Sequence, residues 1–98
     1  MILHTLNKSP DHPALNRCAG FISAGDCLVL LEDGVYCAVT SDSSILNNLL
    51  LRHIPVFCLQ ADVEARGLLN RLNPAVQLID YEGFVTLSIE QTKSKRWG

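Results

Sequence analysis

Uninterrupted apolar runs alternate along the chain with stretches in which apolar residues recur every three or four positions. Met1–Leu6 is a short run that Asn7-Lys8-Ser9-Pro10 interrupts, a first strand entering a loop. Asp11 with Pro13 behind it signals a helix start, and Leu15, Cys18, Ala19 and Ile22 form one helical stripe that Gly25 is placed to end. Cys27-Leu28-Val29-Leu30-Leu31 has no polar position, as expected of a strand buried on both faces. Glu32-Asp33-Gly34 terminates it, and Val35–Val39 reads as a short helical turn. Ser41-Asp42-Ser43-Ser44 offers several N-caps for a second stripe of Ile45, Leu46, Leu49 and Leu50. Pro55–Leu59 is a third strand, with proline where a missing N–H is tolerated. Asp62 can cap the next helix, whose buried face is Ala65, Leu68, Leu69 and Leu72, with Asn73-Pro74 as its stop. Val76–Ile79 is a fourth strand. Asp80 can cap a last helix carrying Tyr81, Phe84, Val85 and Ser88, although Val85, Leu87 and Ile89 also fit a strand of period two. The tail Lys93–Gly98 suits a short fifth strand.

This alternation predicts an α/β fold of three layers, α/β/α, on a mostly parallel sheet of four to five strands, in one domain over residues 1–98. In such folds chemistry collects at the carboxyl ends of strands. Here those ends are Leu6–Ser9, Glu32–Gly34, Leu59–Asp62 and Ile79–Tyr81.

Composition narrows the possibilities. With 98 residues, 48% hydrophobic and 18% charged, the chain holds one core and is not disordered. A net charge of -2 gives no basic excess for nucleic acid, apart from Lys93, Lys95 and Arg96 beside Trp97. That tail could touch RNA or an acidic partner, or it could be a solubilising terminus whose indole covers an apolar edge. No apolar run reaches transmembrane length and no secretory signal is evident, so a cytoplasmic protein with reduced thiols is expected.

The four cysteines are the candidate nucleophiles. No pair forms Cys-x-x-Cys, and His4, His12 and His53 lack ligand spacing, so neither a metal nor a cofactor is expected. Cys27 and Cys37 read as packing residues. Cys58 lies near a strand end and a helix N-terminus, where a thiol can acidify, yet its apolar run favours the core. Cys18 falls on the first helical stripe, on the same element as His12. His4 reads as a satisfied buried residue. Gly67, inside a helical pattern, suggests close approach of another backbone. No assembled active site emerges, and a thin α/β sheet with few helices fits a subunit that hides apolar surface by association.

The order of motifs resembles the TusB/DsrH family within the DsrE-like group of sulfur-relay proteins. The resemblance rests on Ile2-Leu3-His4-Thr5-Leu6-Asn7-Lys8-Ser9-Pro10, on Leu30-Leu31-Glu32-Asp33-Gly34-Val35, and on Asp62-Val63-Glu64-Ala65-Arg66-Gly67. Ile79-Asp80-Tyr81 with Gly83-Phe84-Val85, and Trp97, complete it. It implies a heterohexamer with TusC/DsrF-like and TusD/DsrE-like subunits that passes persulfide sulfur along cysteines. In one branch the sulfur ends in 2-thiouridine at the tRNA wobble position; in the other it serves dissimilatory sulfur oxidation. It also implies that the acceptor cysteine of the TusD/DsrE-like subunits matches Leu59 here, counted back from Gly67. Cys58 is one residue earlier, and strand alternation points it to the other face. DsrH-like members can carry a cysteine in the first helix, so Cys18 is the candidate secondary sulfur carrier. The expectation is a non-catalytic subunit of a sulfurtransferase complex, with a stand-alone thiol or persulfide carrier using Cys18 or Cys58 as the alternative.

Overall fold

The computed structural model describes residues 1–39 and 44–98. Five strands form one sheet: β1 (Ile2–Leu6), β2 (Cys27–Leu30), β3 (Val56–Leu59), β4 (Gln77–Ile79) and β5 (Lys93–Trp97). Their order across the sheet is β4-β3-β2-β1-β5, and every pairing is parallel. The helices are α1 (Ala14–Phe21), α2 (Ser44–Leu51), α3 (Gln60–Ala65) and α4 (Tyr81–Glu90), with 3-10 turns over Glu32–Ala38 and Leu69–Arg71.

The topology follows from chain handedness. Crossovers between parallel strands are right-handed. The chain steps from β1 to β4 in one direction and returns past β1 to lay down β5, so α1, α2 and α3 share one face and α4 takes the other. Alternation along the strands matches this. Leu6, Leu28, Leu30, Val56 and Cys58 pack with Leu15 and Cys18 of α1, Leu46 and Leu49 of α2 and Val63 of α3. Leu3, Cys27 and Val29 point to the opposite side, where Phe84 and Leu87 of α4 meet them. Central β2 is buried at all four positions, as its unbroken apolar run requires. This is the three-layer α/β/α arrangement.

The helix boundaries correct several expectations. α1 does start directly behind the Asp11–Pro13 signal, and His12 Nδ1 accepts from the Ala14 N–H at 3.1 Å. α1 stops at Phe21, and Gly25, at φ +93°, serves the turn into β2 instead of the helix end. The turn expected over Val35–Val39 begins earlier, at Glu32. The possible caps Ser41, Asp42 and Ser43 lie outside the described residues. α2 closes on His53, which takes φ +59° so that Ile54 N–H bonds back to the Leu49 carbonyl.

The largest correction concerns α3. It starts straight after β3 with Leu59 at the N-cap, so Asp62 lies inside it and caps nothing there. It ends six residues later because Gly67 adopts φ +65° and Leu68 N–H bonds to the Val63 carbonyl. Of the expected stripe only Leu68 is buried, while Leu69 is 46% exposed; Val63 holds the inner position instead. Gly67 is needed for its conformation, since an added Cβ would find open space. α4 is a helix and not the alternative strand: Asp80 Oδ1 accepts the Gly83 N–H at 2.7 Å, the cap the sequence suggested.

Candidate functional site

Adjacent strands whose outgoing connections leave on opposite faces open a crevice at their carboxyl ends. β3 and β4 are such a pair, because α3 and α4 lie on different faces of the sheet. A cavity of about 270 Å³ opens there, lined by Leu59, Gln60, Ala61, Glu64, Asp80 and Tyr81. Leu59 is the position that the family resemblance aligns with an acceptor cysteine. The lining offers two carboxylates, a phenol and apolar surface, and contains no thiol, imidazole or cation.

The neighbouring motif residues form a clasp. Glu32, at the end of β2, takes φ +50°, a backbone conformation unusual for a side-chain-bearing residue. Its N–H donates to Asp62 Oδ2 at 2.8 Å. Arg66 Nη2 and Nε donate to Asp33 Oδ1 at 3.0 and 3.2 Å, and Nη1 donates to the Asp62 carbonyl at 3.2 Å. Glu32, Asp33, Asp62 and Arg66 therefore tie the end of β2 to α3 and hold the wall of the crevice. The exposed Arg66–Asp33 pair adds geometry more than energy, on the order of 0–1 kcal/mol.

None of the four cysteines is disulfide-bonded, and each is buried. Cys58 is 0% exposed and sits opposite Leu30 and Leu78 in the sheet, on the α1–α3 face. Burial, then the neighbouring charge of Cys37, pushes its thiol up to about 12. Cys37 is raised to about 12 by burial and by Asp11, with a hydrogen-bond contribution acting the other way. Its Sγ donates to the Lys8 carbonyl at 3.6 Å. Burial and the charge of Asp26 also raise Cys18, to about 12, and Cys27. A thiol near 12 is ionised in only about one molecule in 10⁵ at pH 7, and the thiolate is the nucleophile. Cys18 is 0% exposed within the α1 core, and His12 is turned to the Ala14 N–H instead. Among the described residues no three His, Cys, Asp or Glu side chains converge on a possible metal site. No helix among them is long and apolar enough to cross a membrane.

A second polar constellation lies at the far edge of the sheet. His4 is buried as expected, and its Nε2–H donates to Asp26 Oδ2 at 3.0 Å. Trp97 Nε1–H donates to His4 Nδ1 at 3.0 Å. An indole nitrogen is only ever a donor, so this geometry fixes the neutral Nε2–H tautomer. Asp26, 4% exposed, also accepts the N–H groups of Ile2 at 2.9 Å and Ser23 at 3.1 Å. Burial alone would raise its carboxyl; the hydrogen bonds from His4, Ser23 and Ile2 outweigh that and hold it below the usual 3.8. Asp26 has no place in the motif reading. Its one local signal is an acid directly preceding a fully apolar strand.

Comparison with known proteins agrees with the fold. A family model described as DsrH like protein matches residues 8–94. The chain is 38% identical to Protein TusB of Pectobacterium parmentieri over 96 residues, covering 98% of this chain and all of that one. It is 39% identical to Protein TusB of Escherichia coli (strain K12 / DH10B) over 99 residues, with the same coverage. Among solved structures, the ychN protein from E. coli superposes with a TM-score of 0.84 over 97% of both chains at 15% identity, a likeness of fold. Protein Tm0979 from Thermotoga maritima does so with a TM-score of 0.69 at 26% identity, over 93% of this chain and 94% of that one.

Proposed function

The chain belongs to the TusB/DsrH family, and from that membership we propose that it is a subunit of a cytoplasmic sulfur-relay complex with TusC/DsrF-like and TusD/DsrE-like partners. The complex delivers persulfide sulfur toward 2-thiolation of the tRNA wobble uridine. The observation that carries this reading is the full-length likeness to proteins called TusB, which also favours the tRNA branch over dissimilatory sulfur oxidation.

In this reading the subunit supports a neighbour's chemistry. Leu59 occupies the crevice where a carrier would present a thiol, and Cys58 behind it is turned into the core. Cys18 packs α1 onto the sheet; passing sulfur through it requires that packing to open. The surface supports association as well. Among the described residues the second face of the five strands is covered by one helix, and no residue of α4 is buried. Tyr81, Val85 and Ile89, four residues apart, present a continuous apolar stripe outward at 70%, 39% and 78% exposure.

Co-expression with the two sister subunits from the same genome is expected to yield one complex of fixed stoichiometry through affinity and size-exclusion steps. Elution of this chain apart from both sisters would contradict the assignment.

A further inference from the structure

β5 is held to the sheet unevenly. Its backbone pairs with β1 from Ile2↔Lys93 to Leu6↔Trp97. Lys93, Ser94, Lys95 and Arg96 are exposed, and only Trp97 reaches the core. The indole lies near-parallel to the His4 ring at a centroid distance of 6.2 Å, and Phe21 meets both rings edge-on at 6.0 and 5.7 Å. The Lys95 ammonium stands 4.7 Å above the Trp97 ring. At the other end Thr92 Oγ1 donates to the Met1 carbonyl at 2.7 Å. Without Trp97, β5 keeps that bond and a backbone ladder whose groups exchange with water at small net cost, about 1 kcal/mol per bond.

We propose that His4 is a pH-sensitive latch for the C-terminal strand: protonation at Nδ1 turns the acceptor of the Trp97 indole into a donor, and β5 lets go of β1. The two N–H groups would then face each other across 3.0 Å. The surrounding groups act as follows. Asp26 keeps its bond to Nε2–H in both states and welcomes the imidazolium. Lys95 on β5 shares the Trp97 ring with it and is repelled, which favours departure. The thiols of Cys18 on α1 and Cys27 on β2 stay uncharged. His4 is 0% exposed, so the proton enters when β5 frays and then keeps it from reclosing. β5 is docked while the imidazole is neutral and released when Nδ1 carries a proton. Release uncovers the edge of β1 and frees three cations, Lys93, Lys95 and Arg96.

Trp97 is the one tryptophan of the chain, so its fluorescence reports the latch directly. The full-length protein is titrated from pH 8 to pH 5, with indole emission, the His4 ring signals and amide hydrogen exchange followed by NMR. The expected result is a red shift and at least a tenfold lower protection factor across β5, taken against the intrinsic exchange rate at each pH, once His4 is protonated, while β2 and β3 stay protected. His4→Asn, whose amide oxygen can accept from the indole without titrating, should abolish the transition. Should that variant not fold, Trp97→Phe serves: it removes the opposing donor, and β5 exchange becomes independent of His4 protonation. Unchanged β5 protection through the His4 titration, simultaneous loss of protection over all five strands, or persistence of the transition in the variant that folds would each overturn the proposal.

Discussion

Replacing Gly34 with alanine is expected to cost the fold about 3 kcal/mol or more and to lower the melting temperature by on the order of 15 °C. Gly34 lies in the 3-10 turn that follows β2 and is buried. A Cβ built there would press on the Leu6 carbonyl oxygen, lie 2.9 Å from the Leu6 carbonyl carbon and stand 3.4 Å from Asn7 Cα. All three are backbone atoms, so no side chain can rotate aside. The same carbonyl accepts the Leu31 N–H at 3.0 Å, the bond that carries the β1–β2 pairing past the end of the ladder. Moving the turn breaks that bond; moving β1 disturbs Leu6, which is 0% exposed in the core. Gly20→Ala is the matched control. Gly20 lies in α1 with nothing within 4 Å of an added Cβ, so that change should stabilise by about 0.5–1 kcal/mol. Thermal unfolding of the two variants should shift in opposite directions. Equal small shifts would show that the turn has room.

Asp26→Asn is expected to destabilise by about 3 kcal/mol near neutral pH, read as a lower urea midpoint with unchanged slope. Oδ1 receives the Ile2 N–H, and Oδ2 receives the His4 and Ser23 N–H groups together with the Ser23 hydroxyl at 3.4 Å. Every partner is a donor. An amide must therefore turn its own NH₂ toward at least one of them, losing a bond and leaving a buried donor unpaired. The pH dependence identifies the charge as the source. The folded-state carboxyl lies below its ordinary 3.8, so ionised Asp26 stabilises the fold above that value. The contribution drains away as pH falls from there through the lowered one. The gap between native protein and variant should be full at pH 6 and shrink below about pH 4. A gap that stays constant into acid would assign the effect to packing instead.

Local patterns were readable in the sequence and long-range pairings were not. The apolar run at Cys27–Leu31 and the Asp80 cap are decided by neighbours along the chain, and both appear where the residues put them. The fifth strand was legible as a short tail. Its docking depends on Trp97 meeting a histidine 93 residues away, which no period reveals. Asp62 looked like a cap because acids before helical stripes usually are; its partner is the Glu32 N–H, 30 residues distant. The stripe Ala65, Leu68, Leu69 and Leu72 has helical spacing, yet a positive φ at Gly67 ends α3 before the spacing can act. The crevice was legible in outline, since Leu59–Asp62 and Ile79–Tyr81 are strand ends. Which two strands diverge around it follows only from the order of the sheet.

The inward turn of Cys58 follows directly from alternation along β3: Val56 and Cys58 enter the α1–α3 core, and Leu59 is left to line the crevice. In the proposed complex this chain contributes surface and shape to a relay whose sulfur resides on another subunit. Intact-mass and peptide mass spectrometry of the co-purified complex, after exposure to a persulfide donor, tests this most directly. Added sulfur should appear on a sister subunit while this chain keeps its unmodified mass; sulfur bound at Cys18 or Cys58 would contradict the account.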